Sequence, residues 1–290
     1  MNVLVIGGSG LLGLKLNEIL EQYDYKVTST YFKNPVKMDN FFQLDITRQV
    51  AINDILKTTN PDVVILTAAY TDVDGCEKNH SWAFDINVKG TINVSKAVER
   101  FHTKLIYIST DYVFDGEKGI YKEEDPVNPI NYYGKTKLEG EKAVTKICSD
   151  YIIARTSVVY GCNKNNFALW VIDKLKRHYE IKIVTDQFVS PTLNTDLAEQ
   201  IAVLIDNDKK GIFHTAGGER INRYDFVNTI ADMFGFDKDL ISPIKMMDMS
   251  WIARRCRDSS LDVSRISVIK KPFKVREAVG LLQDELGRLK

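Results

Sequence analysis

Residues 3–13, Val3-Leu4-Val5-Ile6-Gly7-Gly8-Ser9-Gly10-Leu11-Leu12-Gly13, decide the fold of this chain. The run begins with four apolar residues, which predict a short strand buried on both faces of a parallel sheet. Glycines at a G-x-x-G-x-x-G spacing follow at once, and an apolar stripe with helical spacing comes after them. A strand, a glycine loop and a helix in this order predict a dinucleotide-binding site.

The parts of this loop have separate predicted roles. Gly7 permits the turn out of the strand, Gly10 lets a pyrophosphate approach the backbone, and Gly13 lets the helix pack closely on the sheet. The amides that open the helix, at Leu11 and Leu12, favour an anion. We therefore expect the pyrophosphate of a cofactor against the backbone of these residues.

Strands and helices alternate along the first half of the chain. We predict further strands at 25–31, 62–66, 105–108 and 151–154, and helices that open at 45–47 and cover roughly 81–101. This order predicts an α/β fold with a doubly wound parallel sheet of the Rossmann type and a ligand at the carboxyl ends of the strands.

The pattern loosens after Gly161, where prolines and glycines separate shorter elements. We expect a Rossmann domain at 1–160, joined by returning elements within about 186–208. The remaining segments, 161–185 and 209–290, are predicted to form a smaller C-terminal lobe that binds the substrate.

Composition and charge exclude several classes of protein. In 290 residues, 39 Lys and Arg balance 39 Asp and Glu, so no net charge points to nucleic acid or a membrane surface. The four cysteines form no CxxC pair, which argues against a zinc site and a disulfide framework. The cysteine pattern therefore predicts a protein without a metal. No apolar run of about 18 residues and no signal segment is present, so we expect a cytoplasmic protein.

The end of the second strand bears on the choice of cofactor. Sites that prefer NAD usually place a carboxylate there, on the ribose 2′-hydroxyl. This chain has Tyr31 and Lys33 instead, and Lys33 could meet a 2′-phosphate. The sequence therefore favours NADP(H), with NAD(H) left open.

Two further segments are predicted to line the cofactor site. Asp45 and Ile46 fall where a carboxylate could read an adenine edge and an aliphatic side chain could cover it. Ala68, Ala69 and Tyr70 follow the third strand, where small residues let the backbone approach the cofactor.

Thr110, Tyr133 and Lys137 are the candidate catalytic residues. Tyr133 and Lys137 are four residues apart, so a helix places them on one face, and a lysine there can lower the pKa of the phenol. Thr110 ends the fourth strand and can donate to a substrate oxygen while Tyr133 exchanges the proton. Lys137 can also hold the nicotinamide ribose. Asn87, a further candidate for the cofactor site, could order a water or a backbone carbonyl nearby. The set predicts hydride transfer to or from a carbonyl or an alcohol.

These motifs resemble the extended short-chain dehydrogenase/reductases, and within them the dTDP-4-dehydrorhamnose reductase family. The matching segments run over nearly the whole chain: 68–74, 109–116, 133–141, 155–157, 159–161, 166–167, 186–187, 190–192 and 257–261.

The resemblance implies a nucleotide-sugar substrate, dTDP-4-dehydro-L-rhamnose, whose C4 ketone is reduced by NADPH. It implies that Tyr133 protonates the alkoxide, Thr110 polarises the carbonyl and Lys137 tunes Tyr133. Asp111 and Tyr112 match positions that line the sugar pocket.

Two positions depart from the family pattern on the substrate side. Val158 stands where bacterial members commonly have a Trp against the sugar, and Arg255-Cys256 replaces an Arg-Pro pair. Arg257, in the same late loop, is a candidate for the diphosphate.

Two alternatives stay open from the sequence. The same residues serve other nucleotide-sugar reductases and epimerases, of which the epimerases hold NAD tightly. The regulatory β subunit of methionine adenosyltransferase also resembles this family and binds NADP without being an enzyme. A homodimer is compatible with the resemblance, and the sequence assigns no metal site to such a contact.

Overall fold

The apolar runs of the sequence form the strands of an α/β protein. The computed structural model describes residues 1–36 and 40–288. The strands are β1 Asn2–Ile6, β2 Lys26–Tyr31, β3 Phe41–Gln43, β4 Val63–Leu66, β5 Lys104–Thr110, β6 Tyr151–Thr156, β7 Val159–Tyr160, β8 Ile181–Val184, β9 Phe188–Val189, β10 Thr192–Leu193, β11 Gly211–His214, β12 Ile221–Asn222 and β13 Ile241–Ile244.

The helices are α1 Leu11–Gln22, α2 Gln49–Thr59, α3 Val73–Lys78, α4 His80–Phe84, α5 Thr91–Arg100, α6 Tyr132–Ile147, α7 Phe167–Lys176, α8 Asn194–Asp206, α9 Arg223–Phe234, α10 Ser264–Ser267 and α11 Val275–Arg288. A π-helical turn, Asp85–Gly90, joins α4 to α5. Among the described residues, no helix is long and apolar enough to cross a bilayer.

Within the described residues, seven strands make one parallel sheet in the order β11-β6-β5-β4-β1-β2-β3. The predicted doubly wound parallel sheet is confirmed. From β1 the chain first adds β2 and β3 on one side of the sheet. It then adds β4, β5, β6 and β11 on the other side, so the strand order reverses between β1 and β4. A crevice opens beyond the carboxyl ends of these two strands, which is where this fold binds its ligands.

Helices cover both faces of the sheet, and β1 is therefore buried on both. On one face, Val3 and Val5 pack against apolar residues of α1 and α8. On the other face, Leu4 and Ile6 pack against α2 and α5, with Val144 of α6 in the same core. Removing these side chains from water supplies the main stabilisation of the sheet.

A separate core, in addition to the two on the faces of the sheet, holds the C-terminal lobe together. It is built from α7, α9 and α11 around the parallel pair β8 and β13. The lobe is tied to the helices beside the glycine loop, since Glu285 of α11 pairs with Lys15 of α1 at 3.0 Å and accepts a hydrogen bond from the Thr195 hydroxyl of α8 at 2.6 Å. These contacts hold the lobe beside the crevice.

Three details differ from the sequence predictions. Gly211–His214 pairs with β6 in the central sheet, so the elements that return to the sheet extend past 186–208. The helix predicted to open at 45–47 begins at Gln49, because Asp45 accepts hydrogen bonds from the Thr47 amide and hydroxyl in a turn. Strand β3 was not predicted; of its three residues only Phe41 is buried, so it carries little apolar signal.

Candidate active site

The glycine loop connects β1 to α1 at the reversal point of the sheet. Gly7 has a φ of +94°, and a Cβ there would overlap Thr67 and Ala68 at the end of β4, so only glycine fits. The amides of Leu11 and Leu12 at the start of α1 have no acceptor among the described residues, and both residues line a cavity of about 530 Å³ together with Gly10 and Gly13. Unpaired amides at a helix N-terminus suit an anion such as pyrophosphate.

A second cavity, of about 460 Å³, adjoins the first, with Gly10, Thr67 and Ala69 lining both. The predicted cofactor residues Gly7, Tyr31, Lys33, Asp45, Ile46, Ala68, Ala69 and Tyr70 lie along its walls. Two adjoining cavities joined at a glycine loop fit the two halves of a dinucleotide.

Lys33 is the charged residue that this second cavity presents beyond β2. Its ammonium lies 5.5 Å from the centre of the Phe32 ring and 5.8 Å from that of Trp82. Among the described residues, no carboxylate forms an ion pair with it. An ammonium that lies near two aromatic rings and pairs with none of the described carboxylates is suited to a phosphate.

Asn87 lies in the π-helical turn and is buried. Its side-chain oxygen accepts from the Tyr70 amide at 2.8 Å, and its amide donates to the Tyr70 carbonyl and to the Thr136 hydroxyl, each at 3.0 Å. These bonds join the loop after β4 to α6 next to Lys137. They engage both ends of the side-chain amide, so Asn87 fixes the backbone of Tyr70 in the wall of the second cavity. A direct contact of Asn87 with the cofactor stays a prediction.

The three candidate catalytic residues meet at the larger cavity. Thr110 ends β5, and Tyr133 and Lys137 lie on one face of α6. A Cβ on Gly134 would overlap the carbonyl oxygen of Tyr112, so this glycine lets α6 approach the turn that follows β5. The Tyr133 ring then lies edge-on to Tyr112, with 6.1 Å between the ring centres.

Lys137 is almost fully buried under the cavity. Its ammonium donates to the Ile108 carbonyl at 2.7 Å and lies 4.0 Å from the centre of the Tyr107 ring. Burial lowers the pKa of Lys137 to about 7, although the Glu141 carboxylate opposes this.

Tyr133 has a raised pKa, mainly because it is buried, with the Thr110 hydroxyl opposing the rise. The effect of burial on this pKa therefore outweighs the lowering by Lys137 that the spacing predicts. At neutral pH the phenol is protonated, which is the form that a proton donor needs.

Asp111 is buried beside the catalytic threonine. Its carboxylate accepts hydrogen bonds from Thr110 at 3.0 Å, Ser157 at 2.7 Å and Ser259 at 2.6 Å. Burial raises the pKa of Asp111, and these hydroxyls oppose the rise. Asp111 thus fixes Thr110 and joins β5 to two loops, while it also lines the cavity where the sequence predicts the sugar.

Val158 and Arg257 have different surroundings. Val158 lines the larger cavity with a φ of +43°, a conformation that a β-branched residue rarely adopts. Arg257 is exposed and lines none of the three cavities described, so its predicted contact with the diphosphate stays a prediction.

The sequence reasoning missed a third cavity, of about 360 Å³, on the lobe side of Tyr112. Its walls include Phe167, Trp170, Lys182, Arg223, Trp251 and Arg255. These residues come from separate segments of the lobe and carry no common motif, although the aromatic and basic types are those expected around a nucleotide. Among the described residues, no group of three or more His, Cys, Asp or Glu side chains is placed to hold a metal.

Comparison with known proteins agrees with this geometry. A family model described as RmlD substrate binding domain matches residues 1–287. The dTDP-4-dehydrorhamnose reductase of Aggregatibacter actinomycetemcomitans is 34% identical over 277 residues, which cover 91% of this chain and 91% of that protein. The methionine adenosyltransferase 2 subunit beta of Bos taurus is 31% identical over 288 residues, covering 94% of this chain and 85% of that protein.

Among solved structures, the dTDP-4-dehydrorhamnose reductase of Bacillus anthracis in complex with NADP superposes with a TM-score of 0.90. It is 31% identical, and the match covers 98% of this chain and 99% of that one. The chain therefore belongs to the RmlD substrate binding domain family, as the resemblance of its motifs implied.

Proposed function

We propose that this protein is an NADPH-dependent oxidoreductase that reduces the C4 ketone of dTDP-4-dehydro-L-rhamnose to dTDP-L-rhamnose. The observation that carries the proposal is the convergence of Thr110, Tyr133 and Lys137 on the cavity that the glycine loop opens into. The cavity next to it, with Lys33 in its wall, is suited to the adenosine half of NADP(H). Relatives named dTDP-4-dehydrorhamnose reductase, one of them solved with NADP, support the assignment.

The residues of the site have distinct parts in this reaction. When bound, NADPH supplies the hydride. Tyr133, protonated at neutral pH, gives its proton to the oxygen of the ketone. Thr110 turns its hydroxyl hydrogen from Asp111 to the same oxygen, and Asp111 keeps its bonds from Ser157 and Ser259. Lys137, held by the Ile108 carbonyl, binds ribose hydroxyls and stabilises the phenolate that remains.

Turnover of enzymatically prepared dTDP-4-dehydro-L-rhamnose is the direct test. We expect loss of NADPH absorbance and formation of dTDP-L-rhamnose. If NADPH binds but neither this ketone nor another 4-keto nucleotide sugar is reduced, and a methionine adenosyltransferase is retained in a pull-down, the chain acts as the Bos taurus relative's name describes and the reductase proposal fails. NAD that stays bound through purification, with epimerisation of a nucleotide sugar, would indicate an epimerase.

The cofactor preference gives a first prediction. We expect kcat/KM to be higher with NADPH than with NADH, because β2 ends without a carboxylate and Lys33 faces the cavity. Lys33→Ala should raise KM for NADPH roughly tenfold, the effect of one charged hydrogen bond to phosphate, and leave KM for NADH unchanged. Lys57→Ala, at an exposed lysine of α2, is the matched control and should change neither. A wild-type preference for NADH would overturn the assignment.

The sugar wall gives a second prediction. Val158→Trp should raise KM for the sugar nucleotide about fivefold or more. The indole is larger than the valine side chain and would occupy space in the larger cavity that the sugar needs. KM for NADPH should not change. Val158→Ala enlarges the same wall and serves as the comparison. If a folded Val158→Trp protein has unchanged sugar kinetics, this wall does not face the pyranose and the rhamnose assignment is weakened.

The proposal also includes a cytoplasmic location, a homodimer and no nucleic-acid partner. All four cysteines are free thiols, as expected in a reducing compartment, and the charges of the chain balance. Light scattering coupled to size exclusion would measure the oligomeric state.

A further inference from the structure

Three residues stand at the boundary between the larger cavity and the lobe cavity, because they line both: Tyr112, Phe167 and Arg223. On one side of this boundary lie Thr110 and Tyr133, where the ketone must react. A ligand that reaches from the reacting sugar into the lobe cavity has to pass Arg223.

Arg223 is the first residue of α9, and its charge has no ion-pair partner among the described residues. Its guanidinium lies 4.7 Å from the centre of the Phe167 ring, and its Nε is buried and finds no hydrogen-bond acceptor in the described part of the chain. Burial lowers the pKa of Arg223. An unsatisfied guanidinium nitrogen is costly in a folded protein, and that cost is removed when an anion binds.

Two other arginines of the lobe are paired with carboxylates. Arg220 pairs with Asp258 at 2.6 Å, and Arg255 pairs with Asp74 at 2.9 Å. The contrast distinguishes Arg223 from basic residues that merely hold the lobe together.

The charges around Arg223 favour an anion on the lobe side. Asp111 acts on it from the catalytic side, but that carboxylate already accepts three hydroxyl hydrogen bonds. Lys182 lines the lobe cavity with it and adds a positive charge, whereas the charge of Arg255 is offset by Asp74. Trp170 and Trp251 line the same cavity and offer aromatic surface of the kind on which a nucleobase stacks.

We propose that Arg223 binds the diphosphate of the nucleotide sugar, with the sugar in the larger cavity and the nucleobase in the lobe cavity. A guanidinium presents several N–H donors in one plane and suits two phosphate oxygens at once. The inference rests on the proposed function only in taking the ligand to be a nucleotide sugar.

The test compares the binding of dTDP and of thymidine, by calorimetry and ligand-observed NMR, to the wild-type protein and to Arg223→Met. Methionine keeps an unbranched side chain on Phe167 and removes the charge. We expect Kd for dTDP to rise 10- to 100-fold, about 1.4–2.7 kcal/mol, with Kd for thymidine and for NADP⁺ changed by less than about threefold. Arg276→Met, at an exposed arginine of α11, is the matched control and should bind dTDP as the wild type does.

The stability of the ligand-free protein supplies a second measurement. Because Arg223 has no ion-pair partner among residues 1–36 and 40–288, Arg223→Met should unfold in urea at the same or a higher midpoint than the wild type, while dTDP should stabilise the wild type more than the variant. A variant that is less stable and binds dTDP normally would show that Arg223 only supports the lobe. If Arg223→Met does not fold, Arg223→Gln is measured in the same way, and unchanged dTDP affinity in it overturns the proposal.

The outcomes separate this inference from the proposed function. Unchanged dTDP binding in a folded Arg223 variant refutes the role of Arg223 even if the keto sugar is turned over. Loss of dTDP binding in the variant, with no keto sugar reduced by the wild type, supports the role of Arg223 and refutes the proposed reaction. Absence of dTDP binding to the wild type overturns the inference directly.

Discussion

Tyr133→Phe should lower kcat for keto-sugar reduction by about two to four orders of magnitude and leave the binding of NADPH nearly intact. The substitution removes the phenolic hydroxyl and keeps the ring that lies against Tyr112. Helix α6 should stay in place, because the Asn131 side chain still accepts the Gly134 amide at its start. The loss therefore reports proton donation, since Thr110 can hydrogen-bond the ketone oxygen but its hydroxyl is a much weaker acid.

The neighbouring tyrosine provides the matched control. Tyr132 stacks on His80, with 3.8 Å between the ring centres, and does not line the larger cavity. Tyr132→Phe should retain kcat within about threefold, which a steady-state assay resolves easily from the expected loss at Tyr133. An unchanged kcat in Tyr133→Phe would remove this residue from the mechanism.

The sheet and the catalytic residues could be predicted because local patterns encode them. The apolar run before Gly7 predicts a buried strand, and the apolar stripe after Gly13 predicts a helix. Their order along the chain identifies the glycine loop between them as a nucleotide-binding loop. The spacing of Tyr133 and Lys137 defines one helix face without any tertiary information.

The lobe could not be predicted in the same way, since its cavity is assembled from distant segments. Arg223 follows Asn222, which caps α9, and only the packing of α9 against α7 brings its guanidinium onto Phe167. The sequence favours Arg257 for the diphosphate because it lies in a motif, yet the fold leaves this residue exposed. Asn87 is an intermediate case, because its position in a helix could be predicted but its bonds to Tyr70 depend on the loop after β4.

The electrostatics of the site also required the structure. A lysine four residues from a tyrosine suggests a lowered phenol pKa. In the folded protein, burial raises the Tyr133 pKa and lowers that of Lys137 to about 7, because desolvation disfavours both charged forms. Lys137 is therefore the group whose charge is poised near neutral pH in the cofactor-free protein.

Lys137→Met should reduce kcat about 100-fold or more and raise KM for NADPH roughly tenfold, since it removes both the charge beside Tyr133 and the donor to the ribose hydroxyls. The donor is well placed for this, because the Ile108 carbonyl and the Tyr107 ring hold the ammonium under the cavity. Lys135→Met, at an exposed lysine of the same helix, is the control and should leave both constants unchanged. A rise in KM with no fall in kcat would restrict Lys137 to cofactor binding.

Lys137→Met, which should lower activity, should raise the free energy of unfolding of the protein measured without cofactor. The folded pKa of about 7 lies below the ordinary value of 10.5, so between these values the unfolded chain binds more protons than the folded one. The charged Lys137 therefore costs the wild type stability in full below about pH 7, and this cost disappears as the pH rises toward 10. Urea unfolding at pH 6 should show Lys137→Met to be more stable than the wild type, by something on the order of 2–4 kcal/mol, and the difference should narrow steadily at pH 8 and pH 9.5. A stability difference that does not depend on pH would mean that burial does not lower the pKa of Lys137 in the folded protein. The claim that Lys137 titrates near neutral pH would then fail.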